Sequence, residues 1–283
     1  MLTPQLIDTV VRAALTEDAP WGDLTSELVI PEAASASASL DAREPGVFSG
    51  GDVFVAAMRA VDPDTVVELA LPDGSAFDAG ATLAAVTGRA RAVLQAERVA
   101  LNLVQRMSGI ATLTARFVAL TEGTRARIVD TRKTTPGLRA LERHAVRSGG
   151  GHNHRFSLSD AVMVKDNHLA LLTDSGASVT EALLSVRAQL SHTTHLEVEV
   201  DRIDQIEPVL AAGVDTIMLD NFTTDELREG VRLIDGRAIV EASGTVRLET
   251  VREIALTGVD VISVGALTHS VRALDLGLDV TIG

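Results

Sequence analysis

Leu196-Glu-Val-Glu-Val200, Thr216-Ile-Met-Leu-Asp220 and Ala238-Ile-Val-Glu-Ala242 carry the strongest fold signal in the chain. Each is a short β-rich run, too short for a helix, and helical segments lie between them. Similar runs occur at residues 126–130, 161–165 and 261–265. Strands that alternate with helices form a parallel sheet with crossover helices. Six such strands fit an incomplete α/β barrel better than a full eight, and an open doubly wound sheet is the other arrangement. Working outward along each run, the apolar stretches end in Asp130, Lys165, Glu199 with one valine after it, Asp220, Ser243 and Gly265. In a parallel barrel the C-terminal strand ends converge on one mouth, which is where such folds place their sites.

The first hundred residues read differently. An amphipathic helix is expected over residues 2–15, then short strand-like runs with Pro and Gly turns, then a long helix from 90 to about 120. That is an α+β domain followed by a connecting helix. The 283 residues are 46% hydrophobic, enough for one large domain or two modest ones. The absence of cysteine removes disulfides, thiolate nucleophiles and cysteine zinc sites together. Residues 1–23 carry acids and no long apolar run, so neither a signal peptide nor a membrane span is expected, and the expected setting is cytoplasmic.

A net charge of −14 argues against a general affinity for nucleic acid, which relies on lysines and arginines neutralising phosphates. Any anionic ligand must be met locally. Arg132, Lys133, Arg139, Arg143, Arg147, Arg155 and Lys165 fall in one window with only Glu142 and Asp160 against them, seven cations to two acids. Such a window focuses a field if it lines a cleft. The chain's only lysines, Lys133 and Lys165, both lie in it, and a compact ammonium suits a phosphate or carboxylate in a tight site. His152 and His154 form a His-x-His pair, but a zinc site needs further ligands and none is expected here. Ser243-Gly244 and Gly265-Ala266 follow two successive strands, where barrels commonly bind a phosphate on backbone amides.

Asp130-Thr-Arg-Lys-Thr-Thr-Pro-Gly-Leu-Arg139, Gly149-Gly-Gly-His-Asn-His-Arg155, Val164-Lys-Asp-Asn-His168, Glu197-Val-Glu199, Met218-Leu-Asp-Asn221 and Val264-Gly-Ala-Leu-Thr-His-Ser270 resemble the quinolinate phosphoribosyltransferase family. Glu17-Asp-Ala-Pro-Trp-Gly-Asp-Leu-Thr-Ser26 and Glu97-Arg-Val-Ala-Leu-Asn102 match it as well, so the resemblance spans nearly the whole chain. One departure is Ser243-Gly-Thr245, where the family usually carries a second glycine. The resemblance implies an N-terminal α+β sandwich domain with its connecting helix over residues 1–110 and an incomplete barrel over 111–267. Residues 268–283 would return to the N-terminal domain. It also implies a homodimer in which one N-terminal domain covers its partner's barrel mouth.

The same resemblance implies a reaction: quinolinate and phosphoribosyl diphosphate give nicotinate mononucleotide, CO2 and diphosphate, with Mg2+, in NAD biosynthesis. It assigns the quinolinate carboxylates to Arg132, Arg155 and Lys165 with His154 beside them, and to Arg98 reaching from the neighbouring subunit. Lys133 is placed near the diphosphate. Glu199 and Asp220 are expected to serve Mg2+ and the ribose, and to stabilise oxocarbenium character. Substrate contacts extend to Thr131, to Ser243, Gly244 and Thr245, and to Val264, Gly265 and Ala266. A relative acting on a single-carboxylate acid such as nicotinate, and a binding homologue without chemistry, are the other readings of this pattern.

Overall fold

The computed structural model describes residues 2–174 and 176–283. No helix among them is long and apolar enough to cross a membrane. The chain forms two compact units: one comprises residues up to Ala115 with Thr134–Gly150 and Leu267–Gly283, the other Arg116–Lys133 with Gly151–Ala266.

The first unit begins with α1 (Pro4–Asp18), started by the Thr3 hydroxyl, which accepts from the Leu6 amide, with Pro4 in the first turn. The short α2 (Leu24–Val29) is capped by Asp23. In β1 (Ser35–Ala42) the two-residue repeat buries Ala36, Ala38, Leu40 and Ala42 on one face. A two-residue strand, β2 (Gly46–Val47), leads to α3 (Gly51–Val61), which buries Val53, Phe54, Ala57 and Met58. Then come β3 (Val66–Leu69), the two-residue β4 (Ala76–Phe77) and β5 (Thr82–Arg89). The chain's last strand, Leu276–Ile282, pairs antiparallel with β1, and the four-stranded order is last strand, β1, β5, β3. The long helix is α4 (Ala90–Leu120).

Polar contacts join segments of this unit that are distant in sequence. Arg106 on α4 donates to Glu142 of α5 (Arg139–Ser148), and also to the Thr135 hydroxyl and the Thr268 carbonyl, while Glu142 accepts from the Thr135 amide. Glu142 is 1% exposed, so this guanidinium is its countercharge in a dry setting. These bonds draw α5 into the first unit, although barrel strands flank it in sequence. Gly149, at the end of α5, packs so closely that a Cβ there would lie 2.3 Å from the Ala111 carbonyl. The glycine therefore permits a close helix crossing; its φ is not in the left-handed region.

Asp73 makes another such contact. Its carboxylate accepts from the Gly50 and Gly51 amides at 3.0 Å and meets His144 Nε2 at 2.6 Å, capping α3 across a turn. Gly50 has φ 103°, a conformation other residues resist.

The second unit is a sheet of six parallel strands: β6 (Arg127–Val129), β7 (Val162–Val164), β8 (Leu196–Val200), β9 (Thr216–Asp220), β10 (Ile239–Ser243) and β11 (Val261–Ser263). Their spatial order is β6-β11-β10-β9-β8-β7. Strands β7 to β11 therefore sit side by side in chain order, and β6 closes onto β11. A doubly wound sheet would reverse direction at a switch point; this order is that of a barrel lacking the hydrogen-bonded seam between β6 and β7. The intervening helices include α6 (Asp166–Thr173), α7 (Val179–Arg187), α8 (Ile206–Leu210), α9 (Thr224–Ile234) and α10 (Leu248–Ala255). Capping boxes Ser178 with Glu181 and Thr223 with Glu226 start α7 and α9.

Burial works to raise the Asp73 carboxyl, but the His144 contact and the two glycine amides outweigh it and hold it below the usual range. Its contribution to stability is thus complete above about pH 4, the unfolded value, and is lost as pH falls through the lower folded value. Asp73→Ala is expected to lower stability by about 1–2 kcal/mol at pH 7. In urea titrations of both proteins that gap should narrow toward pH 3.

Candidate active site

The two-residue repeat assigns the strand side chains of the second unit. In β8, Leu196, Val198 and Val200 pack outward into the helices, so Glu197 and Glu199 share the inner face. In β9 the inner pair is Met218 and Asp220, in β10 Glu241 and Ser243, and around β7 Met163 and Lys165. At the C-terminal ends these groups, Glu197 excepted, line a cavity of about 450 Å3, together with Ser263 of β11. Thr131, Arg132 and Lys133 enter from the loop after β6, and His154 and Arg155 from the loop before β7. Nine of the residues expected from the sequence therefore meet there: Thr131, Arg132, Lys133, His154, Arg155, Lys165, Glu199, Asp220 and Ser243.

The cations are arranged for anions. Arg132 and Arg155 are near enough that Arg132, after burial itself, pushes the Arg155 guanidinium below its ordinary value. Two neighbouring guanidiniums suit a pair of carboxylates, each of which they can grip in a fork. The Arg155 head is aimed by its own bonds, Nη1 donating to the Ala161 carbonyl at 2.9 Å and Nη2 lying 3.6 Å from Met163 Sδ. Lys165 Nζ pairs with Glu199 Oε2; the lysine keeps 44% of its side chain exposed and the glutamate 16%. Lys133 is exposed, and its amide donates to Thr131 Oγ1 in a tight turn.

Asp130, a strand-end carboxylate in the sequence, has another task. It is fully buried and accepts from Asn153 Nδ2 at 2.6 Å and from the His154 amide at 2.8 Å. It anchors the His154-Arg155 loop to the end of β6.

The sequence reading singled out neither Glu241 nor Glu197 for a role, and both are 3% exposed. His154 Nε2 lies 3.2 Å from Glu197 Oε2 and 3.4 Å from Glu241 Oε2. The signal that could have found them is the alternation itself, which puts a glutamate two residues before Glu199 and another two before Ser243. One imidazole and two carboxylates within 4.8 Å have the composition of a metal triad. The other ring nitrogen decides against that use: the Arg155 amide donates to His154 Nδ1 at 2.7 Å, so the ring proton sits on Nε2, which is then a donor and not a ligand. Burial opposes a charged ring, and so does the Arg155 amide that Nδ1 accepts, while the two carboxylates pull the other way. Burial likewise raises the Glu197 carboxyl, and the neighbouring Glu241 adds to it.

The remaining expected residues lie elsewhere. Gly244 and Thr245 are exposed and line a smaller adjoining cavity of about 220 Å3 with Asn221 and Phe222. Gly244 has φ 132°, and a Cβ there would meet Asn221 Oδ1 at 2.7 Å. Val264 is buried, and its amide donates to the Val129 carbonyl, so it belongs to the strand framework. Gly265 and Ala266 follow β11 at the same strand ends but do not line the main cavity. Arg98 stands exposed on α4 in the first unit.

The C-terminal domain pattern of quinolinate phosphoribosyl transferases matches residues 110–279, and the N-terminal domain pattern matches residues 23–108. The chain is 44% identical over 277 residues to the nicotinate-nucleotide pyrophosphorylase [carboxylating] of Mycobacterium leprae, covering 95% of each chain. It is 42% identical over 266 residues to a probable enzyme of the same name from Bacillus subtilis, covering 94% of this chain and 90% of that one. The crystal structure of NadC from Streptococcus pyogenes superimposes with a TM-score of 0.94 at 39% identity, over 100% of this chain and 99% of that one.

A Cβ at residue 244 would collide with Asn221 in a backbone conformation that L side chains resist. Gly244→Ala is therefore expected to destabilise the protein by about 1–3 kcal/mol, read as a lower urea midpoint with an unchanged slope. With both domain patterns matched in order along almost its entire length, the chain belongs to the quinolinate phosphoribosyl transferase family.

Proposed function

We propose that this chain joins quinolinate to phosphoribosyl diphosphate, releasing CO2 and diphosphate and leaving nicotinate mononucleotide, a step of NAD biosynthesis. The observation that carries this reading is the gathering of Arg132, Lys133, Arg155 and Lys165 on one cavity in a chain of net charge −14. A planar pyridine with adjacent carboxylates needs converging cations, and the neighbouring Arg132 and Arg155 guanidiniums suit them. The names of the Mycobacterium leprae and Bacillus subtilis proteins point to the same chemistry.

In this reading Arg132, Arg155 and Lys165 hold the two carboxylates and turn the ring nitrogen toward the ribose carbon. The nitrogen attacks as the C–O bond to diphosphate breaks, and Lys133 meets the charge on the leaving group. Glu199 and Asp220 face the ribose, where their charge stabilises the oxocarbenium character of the transition state. The ring nitrogen, now cationic, stabilises the electron pair left on the adjacent carbon when the 2-carboxylate departs as CO2. No covalent bond to the protein is required; positioning and fixed charge do the work.

Glu199 and Asp220 offer hard oxygen donors beside the cavity, which fits Mg2+, an ion usually held by one or two carboxylates with water and substrate phosphates. Bound there, Mg2+ would offset the diphosphate charge. Ser243, Gly244 and Thr245, with Gly265 and Ala266, form the strand-end loops suited to the ribose 5-phosphate. A cytoplasmic homodimer, with Arg98 supplied from one protomer to the site of its partner, completes the reading.

Incubation of the purified protein with Mg2+, phosphoribosyl diphosphate and either quinolinate or nicotinate tests it. Equal amounts of nicotinate mononucleotide and CO2 from quinolinate alone are expected; product from nicotinate, or no product from either acid, would refute it. Arg155→Ala is expected to raise KM for quinolinate on the order of tenfold to a hundredfold, the loss of a charged hydrogen-bonding partner.

A further inference from the structure

We propose that Glu197 and Glu241 are positioning residues that act through the His154 ring to aim Arg155 at the substrate. The inference rests on the reaction proposed above and concerns residues for which that reading has no use.

Both glutamates are almost completely buried, and on each the Oε1 oxygen has no hydrogen-bond partner. Buried acceptors left unpaired are a standing cost, and buried charge is costlier still. A core built for stability alone would carry apolar side chains at these positions. On β9, the strand between them, it does: Met218 is hydrogen-bond-register partner to Glu241 on one side and to Glu199 on the other. The pair of glutamates therefore calls for a purpose other than packing.

Their Oε2 oxygens converge on His154 Nε2 from two strands that are not neighbours. The opposite ring nitrogen accepts the backbone amide of the very next residue, Arg155, and the His154 amide donates to buried Asp130. The imidazole is thus engaged on both sides: Nε2 faces the two carboxylates at 3.2 and 3.4 Å, an electrostatic contact, and Nδ1 accepts from the backbone of the residue whose guanidinium faces the cavity. Through this short rigid chain the two carboxylates set the position of the Arg155 backbone, while Ala161 and Met163 set its head group. Loss of the carboxylates frees the ring to turn, and the Arg155 amide loses its acceptor. The effect falls on carboxylate recognition and not on the ribose phosphate loops, where the Asn221 amide donates to the Ser243 carbonyl and no contact runs through His154 among those described.

The test compares Glu241→Met, Glu241→Gln and Glu197→Gln with the parent protein by steady-state kinetics, varying quinolinate and phosphoribosyl diphosphate separately, with unfolding followed in urea. Glu241→Met should raise KM for quinolinate on the order of tenfold, since small misplacements of a positioning group have effects of that size or larger, and leave KM for phosphoribosyl diphosphate within about twofold. The glutamine variants keep an oxygen that can accept from Nε2 and should retain part of the affinity. Urea unfolding shows whether each variant is folded under the assay conditions. In a His154→Ala background, Glu241→Met should have little further effect on KM for quinolinate. Equal changes in both KM values, or additive effects of the His154 and Glu241 substitutions, would overturn the inference. If Glu241→Met does not fold, the two glutamine variants, the same size as the parent residue, decide it through the same KM split. A parent protein that does not turn over quinolinate would refute the proposed reaction itself, whereas a normal parent with unselective variants would refute only this inference.

Discussion

The placement of every functional group in the second unit depends on the two-residue repeat of a parallel strand whose outer face is committed to helices. Once Leu196, Val198 and Val200 are packed outward, Glu197 and Glu199 have no other place than the interior, and a slip of one residue would exchange the two sets. The same constraint acts on Met218 and Asp220, and on Glu241 and Ser243. The barrel interior is therefore built in steps of two residues. The last inner position of each strand carries Lys165, Glu199, Asp220 or Ser243 and the one before it Met163, Glu197, Met218 or Glu241, and the strands are staggered so that Glu199 lies beside Met218.

These two sets live under different electrostatic conditions. At the mouth, Lys165 is nearly half exposed and its bond to Glu199 is screened by water, so the pair can open for a ligand. One inner position back along the strands, Glu197 and Glu241 are each 3% exposed and face His154 at the cavity wall, where a charge must be answered by a neighbour. A cluster of that kind is stiff, since each member is held by the cost of leaving the others unpaired. It sits directly behind the loop that presents Arg155, and Asp130 ties the same loop to β6. The mouth is adaptable and its support rigid, an arrangement suited to a site that recognises a flat, doubly charged ring.

The first unit relies on a smaller set of polar contacts with the same logic. Arg106 and Glu142 form an ion pair whose acid is dry, and the pair joins three segments distant in sequence, α4, α5 and the turn at Thr268. Asp73 does likewise for α3 and α5. In both cases one buried carboxylate gathers donors from separate segments, and that explains why α5 belongs with this unit.

Local features were legible in the amino-acid order alone. Six β-rich runs, the long helix at 90–120 and the gathering of cations between Arg132 and Lys165 were legible because side-chain period and charge are written in neighbouring residues. The polar residues at the strand ends were legible for the same reason, and nine of the expected site residues do meet at one cavity. What depends on distant partners required the folded chain: that β6 lies beside β11, that Asp130 anchors a loop, and that Glu197 and Glu241 converge on His154. Glu197 was visible in the Glu-Val-Glu repeat and Glu241 in Ile-Val-Glu-Ala, yet an isolated strand glutamate has no evident partner in its own segment. Its role arises when closure of the barrel removes water and leaves one imidazole to answer two carboxylates, a balance set by three segments that only the folded chain brings together.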